Sequence, residues 1–142
     1  MNELFCFNLP KVKPDEVSPA VWAYVGDAVY ELFVRFHLVA QGPAKTRKLH
    51  QEAVSRVRAS YQAEILTLIQ PLLTEAELEI LRRGRNVKTG HVPNNTDIIT
   101  YRHSTAFEAL IGYLYLDGRY ERMVELLKKT VEKSEDQSDA KS

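Results

Sequence analysis

Apolar residues recur along most of this chain at three- and four-residue intervals, the spacing of one helical face, and no stretch alternates apolar and polar positions as a half-buried strand would. No internal repeat is visible. The pattern predicts an all-α domain. Ser18 followed by Pro19 is an N-cap with proline at the first helical position, and Trp22, Val25, Val29, Leu32, Phe33 and Phe36 then form the inward stripe of a helix reaching about Val39. Gln41-Gly42-Pro43 breaks it. A second helix from about Ala44 turns Leu49, Ala53 and Val54 inward, and a third, capped by Ser55, carries Val57, Tyr61, Ile65, Leu68 and Ile69 until Pro71. Thr74 and Glu77 have capping-box spacing at the start of a fourth helix through Leu78 and Leu81. Turn formers fill Thr89 to Thr100. Ser104 is then expected to cap a fifth helix, with Phe107, Leu110, Ile111 and Leu114 inward and Asp117-Gly118 at its end. Tyr120, Met123, Val124, Leu127 and Val131 mark a last amphipathic helix. The domain is expected to span 1–133, and the polar segment 134–142 to be a disordered tail.

Composition narrows this to one globular domain. The chain has 142 residues, 44% hydrophobic and 27% charged, enough for a single core and too polar for a membrane bundle. No window has the apolar length of a spanning helix, and Met1–Pro10 lacks the basic start and apolar centre of a secretory leader, so a cytoplasmic protein with no membrane partner is expected. The single cysteine, Cys6, excludes an internal disulfide or a cysteine-based metal site and reads as a small apolar residue. The formal net charge is zero but segregated. Residues 43–60 hold Lys45, Arg47, Lys48, Arg56 and Arg58 against Glu52; residues 82–103 hold Arg82, Arg83, Arg85, Lys88 and Arg102 against Asp97. Two basic stretches suit a phosphate backbone, or they merely solvate helix faces.

Two acids break the pattern. Asp27 lies in Tyr24-Val25-Gly26-Asp27-Ala28-Val29 and Glu108 in Thr105-Ala106-Phe107-Glu108-Ala109-Leu110, each flanked by apolar or small residues. A carboxylate so placed loses hydration and needs a cation, a donor network or cleft water in return. Gly26, costing about 1 kcal/mol against alanine within a helix, is expected to leave open space beside Asp27. Two readings stand: structural ion pairs with arginines, or a shared site for a hard divalent cation completed by water and phosphate, as magnesium is usually held. The four histidines, His37, His50, His91 and His103, show no ligand spacing, and neither a Gly-x-Ser-x-Gly elbow nor a phosphate loop is present.

The segment Tyr24-Val25-Gly26-Asp27-Ala28-Val29-Tyr30-Glu31-Leu32 resembles the signature helix of the ribonuclease III family, and Ser104-Thr105-Ala106-Phe107-Glu108-Ala109-Leu110-Ile111-Gly112 its second acidic helix. The likeness is greatest to the Mini branch, through Arg83-Gly84-Arg85-Asn86 and Tyr101-Arg102-His103-Ser104 as well. The resemblance implies a ribonuclease III endonuclease-domain helical bundle without a double-stranded-RNA-binding domain. It further implies a homodimeric, magnesium-dependent enzyme, with manganese able to substitute, that cuts double-stranded RNA to leave 5′-phosphate and 3′-hydroxyl ends. The Mini branch matures the ends of large-subunit (23S) ribosomal RNA precursor. By the same resemblance Asp27 and Glu108 are the catalytic and metal residues, and Tyr24 is the aromatic that docks into the partner subunit. Trp22 reads as an ordinary core aromatic. Where the broader family has two further acids, this chain has Ala23 and Thr105. RNA contacts are expected from Arg82, Arg83, Arg85, Asn86, Lys88, His91, Arg102 and His103, with Lys45, Arg47 and Lys48 a weaker group. The alternatives are a non-catalytic RNA-binding ribosome-assembly protein on the same fold, which needs the basic loop but not both acids, and a helical interaction module, which leaves the acids unexplained.

Overall fold

The computed structural model describes residues 9–88 and 90–141, with the side chains of 133–141 left aside. Among these residues it contains six α-helices and no strand: α1 (Pro19–Ala40), α2 (Thr46–Val57), α3 (Ala59–Ile69), α4 (Glu75–Arg85), α5 (Ile98–Leu116) and α6 (Tyr120–Lys141). Cys6 and Thr89 lie outside the described residues.

Helix α5 is the central element. It packs on α1, α3, α4 and α6, most extensively on α1, and buries residues around its whole circumference, from Ser104–Phe107 through Ala109–Gly112 to Leu114. A helix enclosed on all sides has little amphipathic signal, and its neighbours carry the polar faces. Trp22, Tyr30, Phe107, Leu110, Ile111 and Met123 lie in the core with negligible exposure. Trp22 is the expected core aromatic: its Nε1 donates to the Pro14 carbonyl at 2.7 Å and its ring meets Tyr113 edge-on.

Several helix ends follow the expected chemistry. Ser18 accepts from the Val21 amide before Pro19, and Thr74 and Glu77 form the reciprocal capping box, at 2.9 and 3.2 Å. At the end of α5, Gly118 takes φ 73°, the left-handed geometry a glycine adopts without strain. Two expected caps are wrong. Ser55 lies inside α2 and donates to the Glu52 carbonyl, while Arg58, without a side-chain cap bond, holds the N-cap position of α3. Ser104 lies inside α5, buried, donating to the Tyr101 carbonyl; the true cap is Asp97, which accepts from the Thr100 amide at 2.8 Å and starts the helix well before Ser104. A hydroxyl within a helix satisfies itself on a preceding carbonyl and imitates a cap in the sequence.

The inward faces also differ from expectation. Helix α1 buries Trp22, Ala23, Gly26, Tyr30, Val34 and Leu38, whereas Leu32 and Phe36 are exposed. It is apolar on more than one face, so periodicity alone does not choose between them. The small residues Ala23 and Gly26 decide, since only that face lets α5 approach. Val54 and Leu68 are exposed likewise, and Gln62 and Leu66 take the buried places on α3. The segment read as a polar disordered tail continues α6 to Lys141. Polarity does not end a helix where no proline or glycine interrupts it, and glutamate, lysine, glutamine and alanine all favour the helix.

Candidate active site

Two glycines bring the acidic helices together. A Cβ on Gly26 would collide with the Glu108 carbonyl and lie 2.8 Å from the Gly112 amide nitrogen, and one on Gly112 would collide with the Trp22 carbonyl and lie 2.8 Å from the Gly26 nitrogen. The helices thus touch backbone to backbone. The space beside Asp27 that Gly26 was expected to leave open is filled by α5. Gly84 does the same for α4, where a Cβ would meet that of Ala109 at 2.6 Å. These contacts hold Asp27 and Glu108 side by side.

The pair opens into a cleft of about 330 Å³ lined by Ala20, Ala23, Tyr24, Asp27, Val87, Lys88, Gly90, His91, Tyr101, Thr105 and Glu108. Asp27 is exposed and Glu108 half-buried, so the two are not equally desolvated, as their flanking residues had implied. The Glu108 carboxyl is pushed up to about 9, first by burial and then by the Asp27 carboxyl hydrogen-bonded beside it, with the Gln62 amide pulling the other way. Among the described residues neither acid forms an ion pair with arginine or lysine, which removes the structural salt-bridge reading. Tyr30 is held by its hydroxyl, which donates to the Arg56 carbonyl at 2.9 Å, and burial keeps that phenol far above its ordinary range.

The expected RNA contacts divide. Lys88 and His91 line the cleft with the acids. Arg82 is bound by Glu79 through two contacts of 2.6 and 2.9 Å, and the Arg83 guanidinium lies 4.8 Å from the Trp22 ring centroid. Arg85, Asn86 and Arg102 are exposed and His103 is half-buried, none of them lining the cleft. Lys45, Arg47 and Lys48 are exposed at the start of α2. Tyr24 stands at the cleft, 81% exposed.

Comparison with known proteins decides what this arrangement is. Residues 20–119, which contain both acidic segments, match the Ribonuclease III domain family. The chain belongs to the ribonuclease III family. It is 49% identical over 116 residues to the Mini-ribonuclease 3 of Brevibacillus brevis, covering 82% of this chain and 87% of that one. The Mini-ribonuclease 3 of Desulfitobacterium hafniense is 51% identical over 109 residues, 77% of this chain and 69% of its own. An X-ray crystal structure of a Fusobacterium nucleatum protein superposes with a TM-score of 0.75 at 29% identity, covering 82% of this chain and 93% of that one. The chain is therefore a member of the Mini branch and an endoribonuclease of the ribonuclease III type, on the all-helical fold expected from its sequence.

Ala23 and Thr105, the two positions at which the resemblance to the broader family implies further acids, both line the cleft. Thr105 turns its hydroxyl to the Tyr101 carbonyl at 3.0 Å. The ribonuclease III site here thus presents two carboxylates rather than four, and no group of three or more histidine, cysteine, aspartate or glutamate side chains gathers anywhere among the described residues. Glu31 turns away to Arg35 at 2.7 Å. Two features escaped the sequence reading: Gln62, buried behind Glu108, and the ion pair that Glu77 forms with Arg122 at 2.8 Å. Gln62 lies on the face that buries Ile65 and Ile69, and its polarity hid it from an apolar-stripe reading. No helix among the described residues is long and apolar enough to cross a membrane.

Proposed function

We propose that this ribonuclease cleaves double-stranded RNA with magnesium held by Asp27 and Glu108, leaves 5′-phosphate and 3′-hydroxyl ends, and matures the termini of 23S ribosomal RNA precursor as a cytoplasmic homodimer. The observation that carries the reading is the acidic pair itself. Two carboxylates share one edge of an open cleft without a cationic side chain between them, and Glu108 is driven toward its neutral form by burial and by Asp27. All-oxygen donors of this kind suit a hard divalent ion, whose charge offsets the burial and the Asp27 carboxyl that raise Glu108. Manganese, with similar ligand preferences, substitutes.

Such an ion supplies Lewis-acid polarisation of the scissile phosphate and activation of a water for in-line attack. The chain's own residues do the rest. Asp27, exposed, faces the incoming phosphate, while Glu108 behind it is fixed by α5. Lys88 and His91, which line the same cleft, offer donors to neighbouring phosphates, and Arg85, Asn86, Arg102 and His103 extend the contact beyond it. A-form RNA is read by its phosphates and 2′-hydroxyls across the shallow groove, so shape dominates over base sequence. The ribosomal precursor as substrate follows from the Mini-branch likeness, and Tyr24, exposed at the cleft, from the same likeness docks into a second subunit.

Cleavage of a duplex RNA by wild type, Asp27→Asn and Glu108→Gln, with and without magnesium and at matched binding, tests this reading. Each substitution is expected to lower the cleavage rate roughly 10³-fold, about 4 kcal/mol of transition-state stabilisation, while RNA binding and folding persist. Magnesium-independent cutting, or full activity in both variants, rejects it.

A further inference from the structure

Carboxylates, through a cation, engage phosphate, and so do Lys88 and His91, but RNA and DNA carry the same phosphates. What separates the two is the ribose 2′-hydroxyl, which both donates and accepts a hydrogen bond and lies along the shallow groove of an A-form duplex. A neutral side-chain hydroxyl, itself donor and acceptor, is suited to reading it. Among the described residues three hydroxyl side chains line the cleft: Tyr24, Tyr101 and Thr105. Thr105 has spent its proton on the Tyr101 carbonyl at 3.0 Å.

The two tyrosines stand apart from the other five in the chain. Tyr30, Tyr61 and Tyr113 donate to Arg56, Thr130 and Asp15, and Tyr115 and Tyr120 pack ring against ring with further interactions of their own. Tyr24 and Tyr101 have no such partner among the described residues, and they are the two that line the cleft. Tyr24 is 81% exposed, whereas Tyr101 is half-buried, where water competes less for a hydrogen bond. Its backbone is firmly held. The amide donates to the Asp97 carbonyl at 3.0 Å, and the carbonyl accepts from the Ser104 and Thr105 hydroxyls at 2.7 and 3.0 Å. Tyr101, Thr105 and Glu108 follow one another on a single face of α5. Seven positions, about 10 Å of helix axis, separate Tyr101 from Glu108.

We propose that Tyr101 is a specificity-determining residue: its phenol hydrogen-bonds the 2′-hydroxyl of a nucleotide beside the scissile phosphate and so selects RNA over DNA. This rests on the reading of the cleft as the place where duplex RNA is cut. The separation from Glu108 assigns Tyr101 to a neighbouring nucleotide rather than to the phosphate under attack, so it contributes to recognition and not to the chemical step.

The test uses the full chain with Tyr101→Phe, which keeps the ring and removes the hydroxyl. Thermal unfolding is expected to match wild type, since that hydroxyl has no partner among the described residues. The kcat/KM for duplex RNA is expected to fall roughly 10-fold, the worth of one hydrogen bond. The substrate is then altered in place of the protein, in a series of duplexes that each carry fluorine for one 2′-hydroxyl near the cut, a change that preserves the A-form sugar. At one position wild type should lose the same factor and Tyr101→Phe nothing more, while at every other position the two losses multiply. A residue that only shapes the cleft would give multiplied losses throughout. Tyr24→Phe, taken through the same series, is expected to share no position. Wild-type rates in Tyr101→Phe, multiplied losses at every position, or a shared position for Tyr24→Phe in its stead overturns the proposal. A Tm of Tyr101→Phe well below wild type assigns the hydroxyl to the fold and overturns it too. Wild type that leaves the unmodified duplex uncut rejects the duplex reading itself, and this proposal with it.

Discussion

Glu108 is more costly to ionise than Asp27, because it is half-buried and has a second carboxyl against it. Folding raises its pKa from 4.5 to about 9. Between those values the folded protein keeps a proton that the unfolded chain releases, so the stability of the metal-free protein is full below 4.5 and is lost as pH rises toward 9. While the proton is retained, each pH unit costs up to about 1.4 kcal/mol. Thermal unfolding in the presence of a chelator is therefore expected to fall from pH 5 to pH 9, and Glu108→Gln, which carries no charge to desolvate, to flatten that decline. Added magnesium should restore the wild-type Tm at the alkaline end and leave Glu108→Gln nearly unmoved. A chelated wild type whose Tm is level across that range would show that Glu108 keeps its charge in the fold.

At the scale of helices, the site depends on how closely α1 and α5 approach. Propensity and packing disagree about Gly26 and Gly112. Alanine at an ordinary helical position gains about 1 kcal/mol over glycine, but here its Cβ would strike a backbone carbonyl that has no rotamer to move. Packing wins, and Gly26→Ala or Gly112→Ala is expected to destabilise by about 1–3 kcal/mol and to weaken cleavage further than stability explains, since the helices that carry Asp27 and Glu108 separate. Gly90→Ala is the internal control: it lies beside the same cleft with nothing within 4 Å of the added atom, and chemical denaturation should find it close to wild type. The same crossing explains which parts of the fold were legible in the sequence. The six helices, the Ser18 cap, the Thr74–Glu77 box and the Gly118 terminus rest on neighbours a few residues apart and were readable. The choice of face on α1 was not. Phe36 and Leu32 are as apolar as Tyr30 and Val34, and only the presence of α5 against Ala23 and Gly26 separates them. Asp27 and Glu108 stood out because each interrupts apolar surroundings, and the cleft residues Lys88 and His91 because the loop is basic. Gln62 was hidden by its own polarity, on a face whose Ile65 and Ile69 were read as inward, and the Glu77–Arg122 pair by the distance along the chain between its members.

Across the molecule, one face of α1 has no partner among the described residues. Val21, Tyr24, Leu32, Phe36 and Val39 are exposed, Phe36 at 73% and Val39 at 61%, on the side of the helix turned away from α5. Single apolar residues at a surface need no explanation, but a run along the helix that also carries Asp27 is what a second copy would cover. In the proposed dimer two Asp27–Glu108 pairs are related by a two-fold axis, which matches the approximate two-fold symmetry of an RNA duplex and assigns one site to each strand. Leu32→Glu combined with Phe36→Glu places charge in that interface without touching the core or the cleft. Sedimentation is expected to show a dimer for wild type and a monomer for the variant, with unchanged helical circular dichroism. The products should change in kind as well as in amount. A monomer offers one site per encounter, so a duplex labelled on both strands is expected to accumulate single nicks where wild type releases double-strand breaks. A dimer that persists with both glutamates in place would move the interface to another face of the molecule and leave the exposed side of α1 to some other partner.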